Sequence, residues 1–190
     1  MSRIRLLAAA VARRIAAGEV VARPPSVVKE LVGNALDAGA RRIEVALEQG
    51  GRALIRVSDD GCGMDRDDAL LAFEQHATSK VDPDETHFGA RTRGFRGEAL
   101  PAIAAVSRVT LVSAERDGEG TRVRVDRGRL SDVAAAGAPR GTEVEVRDLF
   151  AGMPARRKFL RSRATEMSHV VRYLEQQALA EPDVHLRLSE

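Results

Sequence analysis

The chain has 190 residues, of which 44% are hydrophobic and 31% are charged, and these values are typical of a globular protein with one well-buried core. Its formal net charge is only +2, which argues against a strongly basic nucleic-acid binder, and its single cysteine excludes an internal disulfide and a cysteine-rich zinc site. No stretch of the sequence is long and apolar enough to span a membrane, so we expect a cytoplasmic protein.

The first sixty residues predict a helix followed by a β-hairpin. A short helix is expected over residues 11–17, and Pro24-Pro25-Ser26 is a start signal for a longer helix that ends near residue 38. Residues 42–49 alternate between apolar and polar side chains, as a half-buried strand does. A Gly-Gly turn then leads into a second strand over residues 53–58.

The remainder alternates between strands and helices, apart from one long irregular segment. Residues 76–97 are polar and rich in glycine, and an irregular segment of this length in a compact domain is usually functional or disordered. Helices are expected at 65–75, 98–106, 154–161 and 166–180, and strands at 109–113, 122–126, 142–146 and 184–188. Hairpin-linked strands in this order favour an α/β (α+β) two-layer sandwich, in which a mixed, largely antiparallel sheet has helices on one face.

The predicted helix before the hairpin places three oxygen-bearing side chains on one stripe. At 100° per residue, Glu30, Asn34 and Asp37 fall within about 60° of one another, while Leu31 and Ala35 face the other side. A carboxylate and a carboxamide one turn apart can serve as a general base and as a neutral oxygen ligand for Mg²⁺. The alternative is a solvated polar face.

A second candidate site is the glycine-rich loop that follows the hairpin. In the pattern Asp59-x-Gly61-x-Gly63, the carboxylate can accept a hydrogen bond from an exocyclic amine such as that of adenine. The glycines allow the backbone to approach a flat ligand closely. An ordinary Asp/Gly turn is the competing interpretation of the same residues.

The end of the irregular segment suits an anion. Gly94-Phe95-Arg96-Gly97 leads into a predicted helix start, where free N–H groups and nearby arginines favour phosphate oxygens. Thr78-Ser79-Lys80 adds hydroxyl groups and an ammonium group earlier in the same segment. No Walker A loop, dinucleotide-binding fingerprint or nucleophile elbow is present, so a nucleotide would have to bind in another way.

The C-terminal helical region is rich in arginine and can contact a nucleic-acid backbone. Such a region more often forms a solvated face or pairs with acidic residues. The basic side chains are Arg156, Arg157, Lys158, Arg161, Arg163 and Arg172, with Glu166 and Glu175 as nearby acids.

Taken together, these motifs resemble those of the GHKL ATPases, and within that superfamily the MutL family of DNA mismatch-repair proteins. The order is Glu30-x-x-x-Asn34 on a helix, then the Asp59 loop, then a glycine-rich lid, then Gly141-Thr142 before a strand. The more specific words are Ile15-Ala16-Ala17-Gly18-Glu19-Val20, His76-Ala77-Thr78-Ser79-Lys80, Gly94-Phe95-Arg96-Gly97-Glu98-Ala99-Leu100 and Pro154-Ala155-Arg156-Arg157-Lys158-Phe159-Leu160.

The resemblance implies the GHKL (Bergerat) ATPase fold over residues 1–190, with 1–23 as an N-terminal latch and 76–97 as the lid over ATP. It implies that Glu30 is the general base that activates the attacking water and that Asn34 coordinates Mg²⁺. It further implies that Asp59 recognises the adenine amino group with support from Thr142, and that Gly61 and Gly63 shape the base pocket. The triphosphate would be enclosed by Thr78, Ser79, Lys80, Gly94, Phe95, Arg96 and Gly97.

The implied function is that of a slow ATP-hydrolysing switch in mismatch repair. ATP and Mg²⁺ are the implied cofactors, and the implied partners are DNA, a MutS-type mismatch-recognition protein with downstream repair factors, and a second copy of the protein. The implied location is the cytoplasm, at the nucleoid during repair. Two alternatives remain: a non-catalytic DNA-binding fragment, and the ATP domain of another GHKL family.

Three departures from the family pattern qualify this expectation. Gly33 stands where the family commonly has an acidic residue, and glycine inside a helix costs about 1 kcal/mol relative to alanine. Gly152-Met153 replaces the usual Asn-Thr before the proline of the last specific word. The family's second (transducer) subdomain, which supplies a lysine to the γ-phosphate, and its C-terminal dimerisation domain are expected to be absent, so we expect weak or no turnover from this chain alone.

Overall fold

The structure is a computed structural model that describes residues 17, 18, 20–75, 77 and 97–190. In chain order the elements are α1 (Pro24–Asp37), β1 (Arg42–Glu48), a one-turn 3₁₀ helix (Gln49–Gly51), β2 (Leu54–Asp59), α2 (Arg66–Leu71), α3 (Ala99–Ala105), β3 (Arg108–Arg116), β4 (Glu119–Asp126), β5 (Arg129–Ala136), β6 (Gly141–Arg147), α4 (Pro154–Lys158), α5 (Arg163–Ala180) and β7 (His185–Ser189). Of the helix expected at 11–17, only Ala17 lies within the described residues, and it is helical.

The seven strands form one open sheet in the order β5-β4-β3-β6-β2-β1-β7. Every neighbouring pair is antiparallel except β1 and β7, which run parallel. The predicted fold class, a mixed and largely antiparallel sheet with helices, is therefore confirmed. Because β2 and β6 are adjacent although far apart in sequence, the loop after β2 lies beside the beginning of β6.

The core lies between one face of the sheet and the helices. On β1, the side chains of Ile43, Val45 and Leu47 are buried while their alternate neighbours point to solvent or are half-buried. The helix α1 packs against β1 and β2, and α3 packs against β3 and β4. Phe150, which follows β6, is the largest fully buried side chain among the described residues.

The apolar residues of α1 explain both its formation and its position. Val27, Val28, Leu31, Val32 and Ala35 recur at helical spacing and are all buried, which turns the opposite stripe toward the solvent side. Two prolines occupy its first turn, where their missing N–H groups leave no intrahelical bond unmade.

The C-terminus of α1 is closed by a Schellman motif. The N–H of Ala40 donates to the carbonyl of Ala35, and the N–H of Gly39 donates to the carbonyl of Leu36, at 3.1 and 3.0 Å. This motif satisfies the last carbonyls of the helix and reverses the chain into β1.

One predicted helix is shorter in the structure, and one strand was not predicted. The helix expected at 65–75 stops at Leu71, because the following residues close single turns, with the N–H of Phe73 donating to the carbonyl of Leu70. The strand β5 was not predicted, because its second half is a run of alanines without apolar alternation. It forms because Arg127 and Gly128 both have positive φ, of 47° and 78°, and so make a tight hairpin turn after β4.

Candidate functional site

Asp59 is the last residue of β2, and the structure places it directly opposite Thr142 on β6. Residues that face each other across an antiparallel pair project on the same face of the sheet, so the carboxylate and the hydroxyl lie side by side. The backbone N–H of Gly61 donates to Oδ1 of Asp59 at 2.9 Å, and the backbone N–H of Thr142 also donates to the carboxylate. The structure thus places Asp59 beside Thr142, and their roles toward a ligand stay predictions.

The two neighbouring carboxyls, Asp59 and Asp60, are in opposite electrostatic situations. Burial raises the pKa of Asp59 from 3.8 to about 6, against the lowering effect of the two N–H donors, and the nearby charge of Asp60 adds to the rise. For Asp60, partial burial is outweighed by hydrogen bonds from the N–H groups of Arg42 and Arg41 and from the Arg42 guanidinium, so its pKa is lowered.

The opposite pKa shifts make Asp59 a candidate ligand-binding residue and Asp60 a structural one. Asp60 fixes the beginning of β1, since both N–H bonds to its Oδ1 are 2.8 Å long. Asp59 retains an incompletely solvated carboxylate, and such an acceptor gains from any donor that a ligand supplies.

Ser113 on β3 belongs to this site, although the sequence analysis did not single it out. It is 1% exposed, and its hydroxyl lies 2.8 Å from the Thr142 hydroxyl. Its Oγ also accepts from the N–H of Met64 at 2.9 Å and lies 3.1 Å from the carbonyl oxygen of Gly141. The signal that could have found it is a polar residue at a core-facing position, in register with the buried Val109 and Leu111.

Two glycines hold the loop against the sheet. Gly63 has a φ of 73°, and a Cβ there would lie 2.0 Å from the carbonyl oxygen of Ala114 on β3. Gly141 has a φ of 124°, and a Cβ there would lie 2.0 Å from the carbonyl oxygen of Asp59. A side chain at either position would push the loop away from the sheet, so glycine is required for the contact between them.

The loop also contacts the end of α1. The N–H of Cys62 donates to the carbonyl of Ala38 at 2.9 Å, and a Cβ built on Gly61 would come 2.8 Å from Cβ of Ala38. Cys62 itself is exposed, with a free thiol. The C-terminal part of α1 and the Asp59 loop therefore form two sides of one region.

The three polar residues Glu30, Asn34 and Asp37 lie on α1. Glu30, Asn34 and Asp37 are half-buried, whereas the apolar stripe is buried. The backbone of α1 is regular through Gly33, which is buried inside it. The fold therefore brings the helix that bears Glu30 and Asn34 against the loop that bears Asp59.

Most of the predicted phosphate-binding residues lie outside the described part of the chain. These are Thr78, Ser79, Lys80, Gly94, Phe95 and Arg96, and their roles stay predictions. Gly97 is described: its φ is 59°, and a Cβ there would lie 2.3 Å from the carbonyl oxygen of Ala77. Ala77, the second residue of the predicted lid at 76–97, is thus in contact with Gly97, its last residue.

The basic side chains of the C-terminal region differ in their exposure and in their partners. Arg156 lies 5.9 Å from the ring centre of Phe150 and against Gly18, so its guanidinium is not on the open surface. Arg163 pairs with Glu190 at 2.6 Å. Arg157 and Lys158 on α4 are exposed. Glu166 is 1% exposed and accepts from the backbone N–H of Arg161 at 2.9 Å.

Comparison with known proteins identifies the class of protein that this fold and site define. The sequence profile described as "Histidine kinase-, DNA gyrase B-, and HSP90-like ATPase" matches residues 22–150, and the chain belongs to this family.

No helix in the described part of the chain has both the length and the apolar character needed to cross a membrane.

Within that family the chain is similar to the N-terminal regions of MutL, as the sequence analysis predicted. It is 58% identical over 189 residues to "DNA mismatch repair protein MutL" of Anaeromyxobacter sp. (strain K), an alignment that covers 99% of this chain and 31% of the relative. The chain thus spans about a third of the length of the curated relatives that it matches.

Solved structures agree with this placement. The "Aquifex aeolicus MutL ATPase domain complexed with ADP" superposes with a TM-score of 0.75 at 36% identity, covering 90% of this chain and 61% of that one. The "N terminal domain of a DNA repair protein" superposes with a TM-score of 0.79 at 25% identity, covering 93% of this chain and 51% of that one.

Proposed function

We propose that this chain is the ATP-binding part of a mismatch-repair switch and that its adenine pocket is formed by Asp59 and Thr142. The observation that supports this most strongly is the register pair of these two residues at one end of the sheet, next to α1. An ionised Asp59 accepts from the exocyclic amine of adenine, and that new donor offsets the desolvation that raises its pKa.

The stripe on α1 then supplies the chemistry at the triphosphate. Glu30 is proposed to take a proton from the water that attacks the γ-phosphate, and a half-buried carboxylate on a rigid helix suits this role. The residues from 78 to 80 and from 94 to 97 are proposed to enclose the phosphates.

The oxygen donors of the described residues fit a Mg²⁺ ion that is held mainly by nucleotide phosphates. Among the residues that the structure describes, no three His, Cys, Asp or Glu side chains are grouped as a metal site. Asn34 offers one neutral oxygen, and a Mg²⁺ site with one or two protein ligands and several phosphate or water ligands is usual for nucleotides. When bound, Mg²⁺ would neutralise phosphate charge beside Asn34.

Two substitutions test these assignments separately. Asp59→Ala should weaken MgATP binding at least tenfold in calorimetry, because the pocket loses its charged acceptor. Glu30→Ala should leave MgATP affinity within about twofold and reduce hydrolysis at least a hundredfold in the longer protein that includes the second subdomain. If Asp59→Ala binds MgATP as tightly as the unsubstituted chain does, the adenine pocket is misplaced. If Glu30→Ala hydrolyses ATP at the original rate, Glu30 is not the base.

For the whole protein, we propose that ATP binding favours association of two copies and engagement of DNA and a MutS-type partner in the cytoplasm. The similarity to MutL supports this role. Light scattering of the longer protein with and without a non-hydrolysable ATP analogue tests it: a mass that stays monomeric with the analogue would refute the association step.

DNA contact by α4 is a second proposed function, supported by its exposed Arg157 and Lys158 and by the absence of any acidic residue in this helix. Replacing both residues by glutamine should weaken DNA binding and reduce the steepness of its salt dependence, because two phosphate contacts are lost. An unchanged salt slope would remove α4 from the DNA surface.

A further inference from the structure

Ser113 makes three polar contacts beneath the proposed adenine pocket. Its Oγ lies 2.9 Å from the N–H nitrogen of Met64, 3.1 Å from the carbonyl oxygen of Gly141 and 2.8 Å from the hydroxyl of Thr142. It faces Thr142 directly in the pairing of β3 with β6, and it is 1% exposed. Water therefore has little access to this hydroxyl, and its hydrogen bonds are made within the protein.

Counting protons fixes the direction of these bonds. A serine hydroxyl has one proton and two lone pairs. The Met64 N–H can only donate, and the Gly141 carbonyl can only accept. All three contacts are satisfied at once when Ser113 donates to Gly141 and accepts from both Met64 and Thr142. If Ser113 donated to Thr142 instead, its bond to the Gly141 carbonyl would be lost at a buried position.

In the satisfied arrangement, the single proton of the Thr142 hydroxyl points to Ser113. Thr142 then presents only lone pairs to a ligand, beside the carboxylate of Asp59. Above the pKa of Asp59, of about 6, the pocket therefore offers two acceptors and no side-chain donor from this pair. A base edge with an amino group fits such a pair, whereas a base edge with a carbonyl group at the same place meets two acceptors.

We propose that Ser113 is a specificity-determining positioning residue, which makes the Asp59–Thr142 pair acceptor-only and so selects a 6-amino purine nucleotide over a 6-oxo purine nucleotide. This inference rests on the proposed adenine pocket. Ser113 does not touch the base itself and acts through Thr142. Once Ser113 is lost, the Thr142 hydroxyl is free to turn its proton toward the base and to donate to a 6-oxo group.

Calorimetry with MgATP and with magnesium inosine triphosphate, well above pH 6, tests the inference. The ratio of the two affinities is the readout, because a general loss of pocket structure lowers both. Ser113→Ala should reduce the preference for ATP about tenfold, since one buried polar contact changes from unfavourable to favourable for the 6-oxo base. In a Thr142→Val background the same substitution should change the ratio by less than about twofold, because the hydroxyl that Ser113 orients is gone.

A matched control is Ser107→Ala. Ser107 is also 1% exposed, but its hydroxyl donates only to the carbonyl of Ile103, at 2.6 Å, and touches neither Thr142 nor Asp59. This substitution should leave the affinity ratio unchanged. If Ser113→Ala does not fold, Ser113→Cys retains similar volume with a weak donor and acceptor, and should give a partial fall in the ratio.

The outcomes separate this inference from the proposed function. An unchanged ratio in the Ser113 variant overturns the inference, as does an equal change with and without the Thr142 hydroxyl. If Asp59→Ala binds ATP as tightly as the original chain, the proposed pocket itself fails, whatever the Ser113 variants show. If Asp59→Ala loses ATP and Ser113→Ala keeps the ratio, only the inference fails.

Discussion

Replacing Asp59 by asparagine should make the folded chain more stable while it weakens nucleotide binding. The native state holds the Asp59 carboxyl at a pKa of about 6, against 3.8 as its ordinary value, because burial disfavours its charge. Above pH 6 folding therefore buries an ionised carboxylate, which lowers the free energy of unfolding. Asparagine has the same shape, retains an oxygen acceptor for the N–H of Gly61 and brings no charge.

The size of the effect follows from the difference between the two pKa values. At about 1.36 kcal/mol for each pH unit, ionised Asp59 costs the native state about 3 kcal/mol at neutral pH. Solvent access at the edge of the loop and the weaker hydrogen bonds of a neutral acceptor both reduce the benefit of removing the charge. We expect Asp59→Asn to raise the free energy of unfolding by about 1 to 3 kcal/mol.

The pH dependence has a definite sign. A folded pKa above the unfolded one means that the native state binds the proton more tightly, so the contribution of Asp59 to stability is fully present below pH 3.8 and is lost as the pH rises through about 6. Urea unfolding followed by circular dichroism, at several pH values, should therefore show the gain from Asp59→Asn above pH 6 and its decline on acidification.

Asp60→Asn is the matched control, because Asp60 is the adjacent carboxyl and its pKa is lowered by the N–H groups around it. Its contribution is present above pH 3.8 and is lost as the pH falls through its depressed folded pKa, so this substitution should destabilise the chain at neutral pH. If Asp59→Asn also destabilises the protein at neutral pH, or gives a gain that does not vary with pH, the desolvation argument is refuted.

Three further predictions concern the framework of the site, each measured by urea unfolding. Gly141→Ala should lower the free energy of unfolding by more than about 4 kcal/mol, because the new methyl group overlaps the backbone of Asp59. Gly118→Ala, at a φ of 86° with nothing within 4 Å, should lower it by only about 1 to 2 kcal/mol. Equal losses would contradict the close approach of Gly141 to Asp59. Asp65→Ala should cost about 1 kcal/mol through loss of the N-cap of α2, and no change would mean that this cap contributes nothing. The guanidinium of Arg52 donates to carbonyls of the segment between α4 and α5. Arg52→Ala should therefore lower the free energy of unfolding by about 1 to 3 kcal/mol and speed trypsin cleavage after Arg161. Unaltered cleavage would show that this segment is held by other contacts.

The sequence was sufficient for features that depend on local periodicity. The helix α1 was predicted because its buried residues recur every three or four positions, and the β1–β2 hairpin because its strands alternate around two glycines. The strand β5 has no such pattern: Leu130 is 58% exposed, and the strand exists because the turn at Arg127 and Gly128 directs it onto β4.

The candidate site was predictable only in part, because its hydrogen bonds join strands that are far apart in the sequence. Asp59 could be singled out from its glycine loop, but the contact of Ser113 with Thr142 exists only once β3 pairs with β6. The different situations of Asp59 and Asp60 likewise depend on which carboxyl meets the beginning of β1.

The exposed thiol of Cys62 has a practical consequence for studying this protein. It is the only cysteine of the chain, and it lies between the two glycines of the loop that begins at Asp59. A maleimide dye would therefore attach at one defined atom on the proposed pocket, without any engineered substitution. Its fluorescence would follow events at the loop in real time, so that stopped-flow mixing can measure how fast the loop responds to nucleotide.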